Sequence, residues 1–254
     1  SPASHPVTAT AAAATAATAA TAATAVTAVT AVTATASEAN AAPRIVVLGS
    51  LNMDIVIRLV SVPNRGETVS GQSIDHIPGG KGGNQAVSCA RQGAVVRMIG
   101  CLGDDAHGAA LRGALERDGI ETGDLQVDRD AATGTALVLV EDGGQNRIVY
   151  LAGTNARLAI DEEALAGTLA GVAFLIVQLE TPLPAVLAGL RAARRAGCRT
   201  ILNPSPVAPL PDEVWPLLDV LVLNEHEAQV LGGGTVSTPA DAARAARTLL
   251  ARGP

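Results

Sequence analysis

The sequence predicts an α/β fold: a parallel sheet with helices packed on it, and a small antiparallel sheet beside it. Three observations carry this. Short aliphatic runs alternate with helical segments through most of the chain, the signature of βαβ units. TGTALVLV (133–140) and NRIVYL (146–151) flank EDGGQ, and Asp-Gly-Gly between two apolar runs is a hairpin signal. Polar residues collect just after the buried strands, where open parallel sheets place their ligands.

The elements follow in order. RIVVLG (44–49) is an aliphatic run ended by Gly, a buried first strand. IVIRLV (55–60) reads as a second strand, PNRGE (63–67) as a turn, and ETVSGQSIDHI as a more exposed strand. NQAVSCARQGA reads as a helix with Gly93 placed to end it. VVRMIGCLG (95–103) is another buried strand. DDAHGAALRGALERDG is a helix opened by acidic residues and closed by Gly119. After the hairpin come a helix near 161–170, the strand VAFLIVQ (172–178), a helix near 183–196 and the strand RTILN (199–203). A short helix near Asp212 leads to the strand DVLVLN (219–224) and a helix from Glu225. The last helix, TPADAARAARTLLARG, has a Thr-Pro start and a Gly finish.

Residues 1–43 stand apart. From Thr15 to Thr33 a threonine recurs every third residue, with only Ala and Val between. That period fits neither a buried helix face nor a strand, and the residues offer little bulk to offset the entropy of ordering them. The reading is a low-complexity tail, disordered or weakly helical. No basic residue precedes Arg44, which speaks against a signal or transit peptide, and Thr alternating with Ala gains too little from hydrocarbon to span a membrane. Residues 44–254 suit one α/β domain.

Composition narrows the function. A formal net charge of −6 and only three aromatics, Tyr150, Phe174 and Trp215, argue against nucleic acid as a partner. Cys89, Cys101 and Cys198 are far apart, with no CxxC and no His at metal-ligand spacing. They read as reduced core cysteines of a cytoplasmic protein.

The stretch HIPGGKGGNQA (76–86) sets Gly79, Gly80, Gly82 and Gly83 around Lys81, the single lysine among 18 basic residues. It is not a Walker A loop: Asp75 stands where the first Gly belongs, and Gly82 where Ser or Thr is required. A dinucleotide fingerprint fails at Gln85. What survives is a glycine-bare helix start, where a ligand can approach free backbone N–H groups closely. The alternative is a βα turn with no ligand.

In SLNMD (50–54), Asn52 and Asp54 share one side of an extended backbone. An amide beside a carboxylate suits adjacent hydroxyl groups, although a polar turn with Asp54 bonded to its own backbone is the alternative. Glu180 in QLE follows a buried strand, as do NPSP (203–206) and NEHE (224–227). Asn224 could orient phosphate oxygens, and Glu225 and Glu227 could act indirectly on a hydrated Mg²⁺. The alternative there is an Asn-capped helix with an acidic first turn. His226 reads as an exposed helix residue.

Taken together, these motifs resemble the ribokinase (PfkB) family of carbohydrate kinases. VVLGSLNMD, PNRGET, GGKGGNQAV, the GDD at 103–105, the TG at 133–134, AGTNA (152–156), QLE, NPSP and NEHE run in order from about Arg44 to Pro254. The resemblance implies a doubly wound, mostly parallel sheet with helices on both faces. A small β lid would form from about 55–78 and 134–151, and the lids of two copies would pair in a homodimer. It implies transfer of the γ-phosphoryl of ATP to O5 of D-ribose with Mg²⁺, and a monovalent cation, K⁺, in the complete enzyme. By motif match, Asn52, Met53, Asp54, Gly80, Lys81, Gly82, Gly83, Asn84 and Glu180 would hold the sugar. Asn224 would contact ATP phosphates, with Glu225 and Glu227 near the metal. Another sugar or nucleoside kinase of the family, or a non-catalytic sugar-binding remnant, are the alternatives. The family's Gly-Ala-Gly-Asp signature, which supplies the catalytic base, has no counterpart here. The expectation is therefore a domain incomplete at its C-terminus, without a catalytic base and inactive by itself.

Overall fold

The computed structural model describes residues 42–253, so the reading of 1–43 as a disordered tail lies, but for its last two residues, outside the described residues. β1 (Arg44–Leu48) sits inside the main sheet. Ile45 and Val47 point into one apolar cluster, Val46 and Leu48 into another. A strand covered on both faces is apolar throughout rather than alternating.

Around β1 lie β4 (Val95–Gly103), β5 (Leu125–Asp128), β8 (Phe174–Gln178), β9 (Arg199–Asn203) and β10 (Val220–Leu221). Their order is β10-β9-β8-β1-β4-β5, and every neighbouring pair is parallel. The face of Ile45 and Val47 is covered by α1 (Lys81–Arg91), through Ala86 and Cys89, and by α2 (Ala106–Arg117), through Leu111 and Leu115. The opposite face is covered by α3 (Glu162–Thr168), α4 (Leu183–Ala196) and the 3-10 turn Asp212–Leu217. α5 (Glu225–Gly232) and α6 (Pro239–Leu250) meet through Ala228 and Ala245. The sheet is therefore doubly wound, with helices on both faces, as expected.

From β1 the chain works outward to β4 and β5, then returns to β8 on the other side of β1. That reversal makes the β1–β8 boundary a topological switch point, where two carboxyl strand ends part and a crevice opens.

The smaller sheet holds β2 (Asn52–Leu59), β3 (Gly71–Gly79), β6 (Gly134–Glu141) and β7 (Asn146–Leu151), in the order β3-β2-β6-β7. The β6–β7 hairpin is antiparallel, with Ala136 opposite Tyr150, and β2 and β3 are antiparallel as well. The central pair is not: β2 and β6 run parallel, from Asn52 opposite Gly134 to Leu59 opposite Glu141. The expected antiparallel sheet is thus mixed. β2 and β6 are joined by a long excursion through the main sheet rather than by a hairpin, and both leave it in the same direction.

Other expectations shift at their boundaries. The second strand begins at Asn52 rather than 55, and the helix after the glycine stretch begins at Lys81 rather than 84. The strand expected over 219–224 shortens to Val220–Leu221. β5 and a 3-10 turn, Gly153–Arg157, had no counterpart in the sequence reading. The Thr-Pro start of the last helix is a capping box: Thr238 Oγ1 accepts from Asp241 N, and the Asp241 carboxylate accepts from Thr238 N. Among the described residues, no helix is long and apolar enough to cross a membrane. All three cysteines are buried and free.

Candidate active site

The turn from β1 to β2 and the start of α1 pack backbone against backbone. Gly83 N donates to Ser50 O at 3.0 Å, and Gly82 N donates to Ser50 Oγ at 3.3 Å. Gly80 caps α1 with φ 87°, the left-handed region that glycine adopts freely. A Cβ on Gly80 would lie 2.8 Å from Asn52 N, and one on Gly82 2.7 Å from Ser50 N. The room expected for a ligand over these glycines is therefore filled, on this side, by the chain's own Gly49–Asn52 backbone. What the glycines achieve is to seat a helix start against a strand end.

Glu180, two residues past β8, ties the pieces together. Its Oε2 accepts from Ser50 Oγ at 2.5 Å and from Lys81 N at 3.1 Å, and its Oε1 lies 3.8 Å from Lys81 Nζ. One carboxylate thus joins the end of β8, the β1–β2 turn and the first residue of α1 across the switch point.

Above them lies a cavity of about 220 Å³. That is room for a small molecule rather than for one or two waters. Its polar wall is Asn52, Asp54, Lys81, Asn84 and Glu180, with Gly80 at the base. Its roof is the lid, through Val56, Ala136, Val138, Ile148 and Tyr150. A wall of hydrogen-bonding groups facing an apolar cover is how proteins orient a small polar ligand.

The electrostatics are uneven. Burial, reinforced by the Glu180 carboxylate, pushes Asp54 up to about 6, while Lys81 pulls the other way. Burial and Glu180 likewise push the Tyr150 phenol up to about 12, so it remains a hydrogen-bond donor at neutral pH.

Of the residues expected to hold a sugar, Asn52, Asp54, Gly80, Lys81, Asn84 and Glu180 line this cavity. Met53 does not. Alternation along β2 turns its side chain into the core, where it is buried with Leu111 and Leu115. Gly82 and Gly83 are buried behind the wall, in the packing just described. Asn224, Glu225 and Glu227 stand at the start of α5 after β10, two strands beyond β8, and none lines the cavity.

At α5 the capping alternative is what the chain builds. Asn224 Oδ1 accepts from Glu227 N at 2.8 Å, and the Glu227 carboxylate accepts from Asn224 N and Nδ2, each at 3.0 Å. Asn203 Nδ2, at 3.4 Å, completes the ring around Glu227, which is buried. Asn224 Nδ2 spends one hydrogen on Glu227 and keeps one; Glu225 is exposed.

Four polar participants escaped the sequence reading: Asn146 and Tyr150 line the cavity from the lid, and Ser50 and Asn155 bond to residues of its wall. Ser50 stood inside the SLNMD stretch, but only the Glu180 contact gives it a role. Asn155 stood inside the AGTNA stretch with no role assigned: its side chain meets Leu51 and Asn52, more than a hundred residues away in sequence.

A lidded crevice at the switch point of a doubly wound sheet, with two carboxylates, two amides and a lysine on one wall, defines an α/β protein with a small polar pocket. The chain belongs to the pfkB family of carbohydrate kinases, whose family model matches residues 42–254. It is 38% identical to the ribokinase of Haemophilus influenzae over 80% of this chain and 66% of that one. It is 39% identical to the ribokinase of Mus musculus over 84% and 66%. Among solved structures, it resembles Arabidopsis thaliana ribokinase complexed with ribose and ATP, with a TM-score of 0.78 and 29% identity over 84% of this chain and 70% of that one. The chain spans just under two thirds of the length of the curated relatives it matches.

Proposed function

We propose that this chain carries the sugar-binding half of a ribokinase. The complete protein phosphorylates D-ribose at O5 with ATP, giving ribose 5-phosphate. The observation that carries this reading is the lidded cavity, in which five of the expected sugar-contacting side chains converge on a space with room for a small molecule. The ribose and ATP of the Arabidopsis complex support the choice of ligands.

Residues 44–254 act as one partial kinase domain. Asn52, Asp54, Asn84 and Glu180 bind hydroxyl groups, and Lys81 offers a compact ammonium beside them. An Arg there would need room for a planar fork. Gly80, Gly82 and Gly83 contribute by setting the start of α1, and Met53 by anchoring β2 beneath the site.

The nucleotide side is the Asn224 region, where the remaining amide hydrogen of Asn224 is available to a phosphate oxygen. Direct metal coordination by Glu227 does not fit, because its carboxylate is already bonded to Asn224 and Asn203. Among the described residues, no group of three or more His, Cys, Asp or Glu forms a metal site. Mg²⁺, when bound, neutralises phosphate charge and keeps its waters. Glu225 and Glu227 would touch only that water shell. K⁺ is assigned to the complete enzyme and to no residue here. The free cysteines support a reducing, cytoplasmic setting. The exposed Val149 and Leu151 of β7 support a homodimer through the lid, which light scattering would test.

Calorimetry on the 254-residue chain is the decisive experiment. D-Ribose should bind, and ATP with Mg²⁺ should bind weakly or not at all. Turnover is expected only from the complete protein. Failure to bind any pentose would sink the reading. Tighter binding of a hexose or nucleoside would move the assignment to another sugar or nucleoside kinase of the family.

A further inference from the structure

Asn155 lies in the 3-10 turn after β7, fully buried. The turn is held by its neighbour: Thr154 Oγ1 donates to Cys101 O at 2.9 Å, and Thr154 N donates to Ala132 O at 2.9 Å. Asn155 is thereby pressed against the β1–β2 turn. Its Oδ1 accepts from Leu51 N at 2.9 Å, and its Nδ2 donates to Leu51 O at 3.0 Å.

These two bonds remove the ambiguity that amide side chains usually carry. A backbone N–H can only donate and a backbone carbonyl can only accept, so the Asn155 amide has one permitted orientation. Its second Nδ2 hydrogen then points at the side chain of Asn52, 2.7 Å away. The Asn52 atom at that place must accept, so it is Oδ1. The Asn52 Nδ2 is left for the cavity that Asn52 lines. Gly134, opposite Asn52 across the β2–β6 pair, leaves space for this arrangement, because a Cβ there would run into Asn155 Nδ2 and Asn52 Oδ1.

We propose that Asn155 is a positioning residue that fixes the hydrogen-bond polarity of the sugar site. By holding the Asn52 oxygen, it turns the Asn52 N–H₂ toward the ligand, beside the acceptor oxygens of Asp54 and Glu180. The wall then selects a hydroxyl that accepts from Asn52 and donates to a neighbouring carboxylate. A deoxy position leaves the amide unpaired, so deoxy analogues are rejected there. The inference rests on the reading of the cavity as a sugar site.

Side-chain amide NMR on the ¹⁵N-labelled full chain, without sugar, tests the polarity directly. The Asn155 amide hydrogens should be protected from exchange and those of Asn52 should exchange with solvent. The reverse pattern would overturn the proposal, whether or not a sugar binds. Asn155→Asp keeps an acceptor for Leu51 N–H but demands a donor from Asn52, whose amide must turn over. The Asn52 hydrogens should become protected and D-ribose affinity should fall by about tenfold or more. An Asn52 signal unmoved by this change would overturn the proposal. In an Asn52→Ala background, Asn155→Asp should cost less than about twofold further. Full multiplication of the two effects would mean that Asn155 acts by another route.

Asn155 is buried, and Asn155→Asp also sets a carboxylate oxygen against Leu51 O, so Asn52→Asp supplies the second arm. One carboxylate oxygen stays with Asn155 and the other replaces the cavity donor by an acceptor. Ribose affinity should fall by about tenfold or more while the Asn155 hydrogens stay protected. Retained affinity would show that an acceptor faced the cavity from the start. If the native chain binds no pentose, the sugar-site reading fails, and the exchange pattern still decides the polarity.

Discussion

The wall at Asn52–Asp54–Glu180 and the cap at Asn224–Glu227 are made from the same residue types. Both follow the carboxyl ends of parallel strands, and in both an asparagine sits near carboxylates. They differ in what those groups bond to. At α5, the Glu227 carboxylate is taken up by Asn224 and Asn203, while one Asn224 amide hydrogen and the buried Asn203 Oδ1 are left over. At the crevice, the amide of Asn52 and the carboxylates of Asp54 and Glu180 face a cavity, and Asp54 is pushed up to about 6 by burial and by Glu180. A carboxylate whose partners all come from the chain's own helix cap and neighbouring strand serves the fold. One that faces a cavity, at an electrostatic cost, is prepared for a ligand.

The largest effect that would break this contrast is at Glu180. Glu180→Ala removes the acceptor of Ser50 Oγ and Lys81 N and the counter-charge of Lys81 Nζ. Losing one partner of a mostly buried, hydrogen-bonded charge pair costs about 3 kcal/mol. Chemical denaturation should show that loss, and calorimetry should show ribose affinity down by about a hundredfold. Unchanged affinity would mean that Glu180 belongs to the satisfied class after all.

Next is Asp54→Asn, which separates binding from stability. The native carboxyl titrates at about 6 instead of 3.8, so between those values the folded chain keeps a proton that the unfolded chain has released. Stability contributed by Asp54 therefore falls as pH rises through that window, and the penalty is complete above about 6. Asp54→Asn should melt higher than the native chain at pH 7.5, with the advantage vanishing by pH 4, while ribose binding weakens. A variant less stable than native at pH 7.5 would show that Asp54 supports the fold.

At α5 the expectation is opposite and smaller. Glu227→Ala breaks the capping box and should cost about 1 kcal/mol of stability, leaving ribose affinity within about twofold. A larger loss of affinity would join the two regions into one site and end the comparison.

How much of this was legible beforehand follows the same division. Strands with near-continuous apolar runs, such as β1 over Arg44–Leu48 and β8 over Phe174–Gln178, stood out because burial on both faces leaves an unmistakable composition. The start of β2 did not, because Asn52 and Asp54 are polar for the sake of the cavity and so resemble a turn. The start of α1 was displaced because glycines argue locally against helix, while their contacts with Gly49–Asn52 favour it. β5, LQVD, alternates apolar and polar residues but is only four residues long, too short to stand out. The parallel pairing of β2 with β6 depends on how far apart they are joined. The site was legible where one stretch supplies several groups, as in Asn52–Asp54 and Gly80–Asn84. The role of Asn155 was not, although AGTNA stood out as a motif, since its partners lie more than a hundred residues away in sequence.

The smallest prediction is the most direct test of why the crevice is held at this cost. On the sugar reading, the ligand's hydroxyls donate more strongly to the ionised form of Asp54, so affinity follows that form. At pH 7.5 that form dominates. At pH 5, about one unit below its titration at about 6, roughly one molecule in ten retains it, and D-ribose affinity should fall by about tenfold. The same linkage requires proton release on binding near pH 6, because the ligand's donors pull the carboxyl back toward its ordinary range. Calorimetry in two buffers of different ionisation enthalpy measures that release. Asp54→Asn should abolish both the slope and the release while leaving whatever weaker binding remains. Native binding that is flat from pH 5 to 7.5 would mean that the raised carboxyl is a by-product of packing, and the crevice would then differ from the α5 cap in degree rather than in kind.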